Sequence, residues 1–98
     1  MSQFIMIGWD GPNGARRREK HRDRHLSHIE DLDRAGKIAF AGPIRDDMGE
    51  RSIGAVVVFE AESLEDAQAV ADKDPYVAGG VFETVTVNPF KQVFPEAK

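Results

Sequence analysis

The amino-acid sequence predicts an α+β fold, a four-stranded antiparallel sheet with two helices on one face in the order βαββαβ. Three observations carry this. The chain has 98 residues, enough for one domain spanning 1–98 and too few for two. Four short apolar runs of strand length alternate in the right order with two stretches whose apolar residues recur at helical spacing. Gly, Pro, Asn and Asp gather at the junctions, where turns need them.

Residues 3–9, Gln-Phe-Ile-Met-Ile-Gly-Trp, form the first apolar run, closed by Asp10-Gly-Pro-Asn-Gly14. From about Ala15 to Ala35 long charged side chains surround Leu26, Ile29 and Leu32, whose spacing of three follows one helical face. Gly36 is placed to end that helix. Lys37 to Ile44 is a second strand broken by Gly42-Pro43, and Asp46 to Glu50 is the turn of a hairpin. The β-branched run Ile53 to Phe59 supplies the third strand. Ser63 and Asp66 then offer a capping start to a second helix that buries Leu64, Ala67, Val70 and Ala71. It stops at Asp74-Pro75, because a residue before proline is pushed out of helical geometry. Val81 to Val87 is the last strand, with Val81, Val85 and Val87 on one face, ended by Asn88-Pro89. Residues 91–98 read as a C-terminal tail that docks through Val93 and Phe94.

Two right-handed βαβ crossovers in this order make the ferredoxin-like arrangement, with both helices on the same sheet face. The other face needs a cover. Phe40, Val56, Val58 and Phe82 are expected there, and the simplest cover is a second copy, a homodimer packed through its sheets.

Composition narrows the function. With 41% apolar residues, 8% aromatic residues and no cysteine, the core is modest, and thiol catalysis and thiolate metal sites are excluded. The net charge is −4, the wrong balance for a nucleic-acid binder. Basic residues crowd into Arg16, Arg17, Arg18, Lys20, Arg22 and Arg24, but acids interleave them and no aromatic side chain offers a stacking platform, so the run reads as a solvated helix face. No apolar run approaches the roughly 18–20 residues of a membrane span, and the N-terminus has no basic, long-apolar leader. The expectation is a cytoplasmic protein with no membrane partner.

One face of the first helix changes character along its length. It is apolar at Ile29 and Leu32 and polar at Arg22 and His25, as though its first half faced a pocket. The plain reading of His25 is a core-edge histidine bonded to a carbonyl. The functional reading is an acid/base group, since imidazole titrates near neutrality and a carboxylate beside it fixes its tautomer. Asp74 is the candidate carboxylate. Asp74-Pro75-Tyr76 is a helix stop on its face, yet in this fold the end of the second helix can approach the first, and a buried aspartate needs a partner. Arg22 shares the face of His25 and can anchor a substrate. Trp9, Gly42 and Pro43 are candidate pocket walls, each with an ordinary reading as core, interface or turn. His21, His25 and His28 have spacings compatible with a metal, but two helical histidines need further ligands that the sequence does not supply, so no metal or other cofactor is expected.

Taken together, Arg22-x-x-His25-Leu26, Gly36, Ala41-Gly42-Pro43, Ser63-Leu64-Glu65-x-Ala67, Asp74-Pro75-Tyr76-Val77 and Val87-x-Pro89-Phe90 resemble the YciI-like (YCII-related) family over nearly the whole chain. The resemblance implies a dimeric α+β barrel, related to muconolactone isomerase and to small cofactor-independent monooxygenases, with a His/Asp active site at His25 and Asp74. One branch of the family removes chloride from a chlorinated hydroxyhydroquinone. The sequence departs from the family in its short Arg45–Arg51 connection, where other members carry a longer loop.

The function expected is therefore a small cofactor-independent enzyme of lyase, isomerase or dehydrochlorinase type. His25 would be its acid/base and Asp74 its orienting carboxylate, with Arg22 and Tyr76 positioning a small anionic or aromatic substrate. The alternatives are a non-catalytic metabolite-binding or sensing dimer that uses the same pocket, and a purely structural domain without one.

Overall fold

The computed structural model describes residues 1–96. Its elements are β1 (Ser2–Asp10), α1 (Gly14–Arg34), β2 (Ile38–Arg45), β3 (Ser52–Ala61), α2 (Leu64–Lys73), α3 (Pro75–Ala78) and β4 (Phe82–Phe90). The four strands form one antiparallel sheet in the order β2-β3-β1-β4. This is the ferredoxin-like α+β fold that the βαββαβ order predicts. Of the tail expected at 91–98, the last two residues lie outside the described residues.

Each long element stops where local chemistry stops it. At the end of α1 the Gly36 N–H donates to the Asp33 carbonyl and the Lys37 N–H to the Leu32 carbonyl, with Gly36 at φ +72°. That pair of bonds satisfies carbonyls the helix leaves open, in a backbone conformation glycine adopts without a Cβ clash. At the start of α2 the Ser63 hydroxyl accepts from the Asp66 N–H at 3.1 Å, an N-cap typically worth about 1 kcal/mol.

Several features depart from the sequence reading. Leu64 of α2, expected in the core, is exposed, and so are Val93 and Phe94, expected to dock the tail. Pro75 ends α2 but also opens α3, because its fixed φ suits the first helical position and Asp74 caps the new helix. β4 does not end at Asn88-Pro89; Asn88 pairs with Ile5 and Pro89 with Phe4. An edge strand tolerates a proline there, since the missing N–H need serve no further neighbour. Phe82 does not lie on the uncovered sheet face. An irregularity in the β1–β4 register between Trp9 and Asp10 accompanies its packing against the helix-side core, where its ring lies so close over Gly8 that a Cβ at that position would sit 2.7 Å from it.

The core fills the space between sheet and helices. Phe4 and Met6 of β1 and Val57, Phe59 and Ala61 of β3 pack with Ala67 and Ala71 of α2, and Ile29 of α1 closes the cluster. Strand alternation sends Ile5, Ile7 and Trp9 to the opposite face, together with Phe40, Val56 and Val58, which pair across the sheet with Val58, Gly42 and Ile5 respectively. Val58 is shut in, whereas Trp9 and Phe40 are 46% and 45% exposed. No helix covers that face among the described residues.

Candidate active site

The break between α2 and α3 builds the centre of the site. Asp74 ends one helix and caps the next, so its side chain is held by backbone geometry, and among the described residues it is the charged residue buried in the core, at 2% exposure. Its Oδ1 accepts the Tyr76 N–H at 2.9 Å and lies 2.7 Å from Nδ1 of His25. A carboxylate only accepts, so Nδ1 carries the proton and Nε2 is the basic nitrogen of the neutral ring. Nε2 has no protein partner among the described residues.

Tyr76 fixes the imidazole from another direction. Its ring stacks on His25 with centroids 3.8 Å apart and planes inclined by 2°, and it meets Phe82 edge-on at 6.2 Å. The histidine thus has its protonated edge on a carboxylate and one face on an aromatic ring, which leaves it little rotational freedom.

Arg18 closes this group of side chains. Its Nε and Nη2 donate to the two carboxylate oxygens of Asp10, each at 2.8 Å, and Nη2 also donates to the Gly54 carbonyl at 2.9 Å. The guanidinium carbon stands 5.1 Å from the centre of the Tyr76 ring. The hydrogen bond to Asp10 is the main cause holding the Arg18 pKa above its ordinary value. Burial raises the Tyr76 pKa, with the Arg18 and Arg22 cations opposing.

A pH effect follows from Tyr76. A folded pKa above the unfolded value of about 10 favours the neutral phenol, so this contribution to stability is complete below that value and is lost as pH rises through the folded pKa. The melting temperature should fall across that alkaline interval, and Tyr76→Phe should lose less. The chain has one tyrosine, so tyrosinate absorbance reports Tyr76 alone; onset at the pH of free tyrosine would contradict the expectation.

These residues open onto a cavity of about 510 Å³, within the size range of small-molecule sites. Arg18, Arg22, His25 and Tyr76 form a polar wall, and Leu26, Ile29, Ala41, Pro43, Ala55 and Val57 an apolar one. Gly42 lies beside Pro43 in the lining, and Arg45 and Ser52 stand where the β2–β3 connection leaves the sheet. A larger groove of about 720 Å³ runs along the other end of the sheet between Gln3, Glu60 and Gln92, far from this chemistry.

Of the residues singled out from sequence, His25, Asp74, Arg22, Tyr76, Gly42 and Pro43 are brought together at or directly behind this cavity. Trp9 is not. It pairs with Gly54 on the uncovered face and lines no part of the cavity, because β1 alternation points it away from the helices. His21 is directed elsewhere too, with Nδ1 2.8 Å from Arg24 Nη2 and its ring against Gly79. Slight desolvation first, then Arg24, Lys20 and Arg17, lower its pKa. No cluster of three or more potential metal ligands occurs among the described residues. The Asp10–Arg18 pair escaped the sequence reading. Its signal was the helical spacing 18, 22, 25, 29, which extends the face of His25 by one more turn, but an arginine inside a basic run reads as solvated.

Comparison with known proteins gives a consistent picture. Protein YciI of Escherichia coli O6:H1 is 41% identical over 96 residues, covering 93% of this chain and 98% of that protein. An uncharacterized protein of Haemophilus influenzae is 33% identical over the same share of both chains. Among solved structures, 5-chloro-2-hydroxyhydroquinone dehydrochlorinase (TftG) from Burkholderia phenoliruptrix AC1100, in complex with 2,5-dihydroxybenzoquinone, superposes with a TM-score of 0.80 at 25% identity, covering 91% of this chain and 93% of that one. The profile of the YCII-related domain matches residues 2–91, and with relatives this similar over this much of its length, the chain belongs to the YCII-related domain family.

Proposed function

We propose that this protein is a small acid/base enzyme of lyase, isomerase or dehydrochlorinase type that acts on a small aromatic or enolisable molecule and needs no cofactor. The observation that carries the reading is the 2.7 Å contact of His25 Nδ1 with buried Asp74, which leaves Nε2 as the free basic nitrogen of a cavity-lining ring. In an elimination Nε2 takes a proton from the substrate as the leaving group departs with its bonding electrons, and Asp74 stabilises the imidazolium that forms. In an isomerisation the same nitrogen returns the proton at another carbon. Arg22 and Tyr76 position the substrate, and Gly42-Pro43 forms the wall that its body rests on.

The similarity to a dehydrochlorinase supports starting from chlorinated hydroxyhydroquinones. Chloride release and product absorbance would be followed for these and for a library of small enols and aromatic acids. Conversion by the wild type and none by His25→Ala supports the proposal. Saturable binding without product from any compound would replace it with the metabolite-binding reading.

We also propose that the protein works as a homodimer joined through the uncovered sheet face. Half-exposed Trp9 and Phe40 stand at the two ends of that face with partly buried Ile5, Ile7 and Val56 between them, and an apolar face of this extent supports the proposal, since such patches mark interaction surfaces. Sedimentation velocity should show a dimer that Phe40→Glu dissociates; a monomer at high concentration would end this proposal.

A further inference from the structure

We propose that Arg18 is the anion-binding group of the cavity, and that the ligand it takes is a small, largely apolar molecule bearing an ionised oxygen, a phenolate, enolate or carboxylate. This rests on reading the cavity as a ligand site.

The donor count of Arg18 leads to it. A guanidinium has five N–H groups. Three are committed, Nε to Asp10 Oδ2, and Nη2 to Asp10 Oδ1 and to the Gly54 carbonyl. Neither proton on Nη1 forms a hydrogen bond of ordinary length among the described residues, although the Tyr76 hydroxyl is close enough to compete for one of them; the side chain is only 14% exposed and lines the cavity. The bidentate grip of Asp10 and the rings of Tyr76 and Phe82, 5.1 and 5.8 Å from the guanidinium carbon, hold Arg18 in place before any ligand arrives. A donor fixed in this way gives up little side-chain entropy on binding.

Charge and shape agree. Arg22 and Arg45 line the same cavity with Arg18, against Glu19 in the lining and Asp10 behind, so a chain of net charge −4 carries a locally positive wall there. Such a wall in a cleft concentrates anions. Beside it, Leu26 and Ile29 of α1 with Ala41 and Pro43 of β2 can cover an apolar body.

The test is equilibrium binding of 4-nitrophenolate, in mildly alkaline buffer that ionises it, and of its uncharged methyl ether, 4-nitroanisole. The wild type should prefer the anion by roughly 10- to 100-fold, the range of a charge-assisted hydrogen bond. Arg18→Gln should abolish that preference and leave the affinity for the ether. Should the single variant fail to fold because Asp10 loses its partner, Asp10→Asn/Arg18→Gln removes both charges and is read the same way. In the wild type, the nitrogen NMR signals of the Arg18 guanidinium should move on titration with the phenolate. No preference in the wild type, a preference retained without Arg18, or unmoved Arg18 signals would each overturn the proposal. Binding requires no turnover, so Arg18 can fail while the acid/base reading of His25 survives, and the reverse.

Discussion

His25→Ala is expected to lower turnover of an accepted substrate by roughly 10²–10⁴-fold, the usual contribution of a positioned acid/base. The fall should appear in kcat rather than KM, because in the proposed chemistry Nε2 acts on the proton in flight while the cavity's arginines hold the substrate before and after. The fold should persist. His25 sits at the edge of the core with its side chain 14% exposed, and its removal leaves Asp74 still bonded to the Tyr76 N–H. Circular dichroism establishes folding, and steady-state kinetics on the same sample measures the loss. Undiminished kcat in a folded variant would remove His25 from the chemistry.

Asp74 is expected to separate stability from activity when two substitutions are compared. Asp74→Ala removes the acceptor of both the α3 cap and the His25 Nδ1–H at a position 2% exposed. Loss of a cap together with a buried donor left unpaired costs roughly 2 kcal/mol. In a domain of this length that lowers the melting temperature by about 8–16 °C. Asp74→Asn keeps an oxygen for the Tyr76 N–H, so most of that loss should be recovered. It cannot restore the negative charge that stabilises imidazolium, and turnover should still fall by roughly 10²-fold or more. Equal activity in Asp74→Asn and wild type would reduce the aspartate to a helix cap. Equal melting temperatures in Asp74→Ala and wild type would contradict the structural half of the argument.

The sequence made the order of elements legible because punctuation and periodicity agree. Gly36, Ser63 and Pro75 each mark a helix end through a bond or a dihedral restriction that acts within a few residues. What it hid was non-local. His25 and Asp74 are 49 positions apart, so their contact could be expected only through the fold. Of the readings open to Trp9, the pocket wall fails and the interface is left, because the alternation of Phe4, Met6 and Gly8 directs Trp9 to the other face. Phe82 misled in a different way, because an irregularity in the β1–β4 register upsets the strict alternation from which its side was read. Arg18 was masked by its neighbours: six basic residues in nine positions look alike until Asp10, brought back by β1, selects one of them.

The β2–β3 connection has a kinetic meaning. The Asp46 N–H donates to the Arg51 carbonyl and the Gly49 N–H to the Asp46 carbonyl, each at 2.8 Å, while Asp46 Oδ1 accepts the Glu50 N–H at 3.0 Å. That bond is the main cause of the lowered Asp46 pKa. A turn this short and this tied to itself cannot swing down over a 510 Å³ cavity as a lid does. Under the proposed function, ligand exchange is ungated by this segment, and a bound molecule keeps water as a neighbour wherever no second copy intervenes. A proton transfer coupled to prompt departure of a leaving group tolerates such company. Long-lived reactive intermediates do not, and the open doorway thereby restricts the reactions this small scaffold can host.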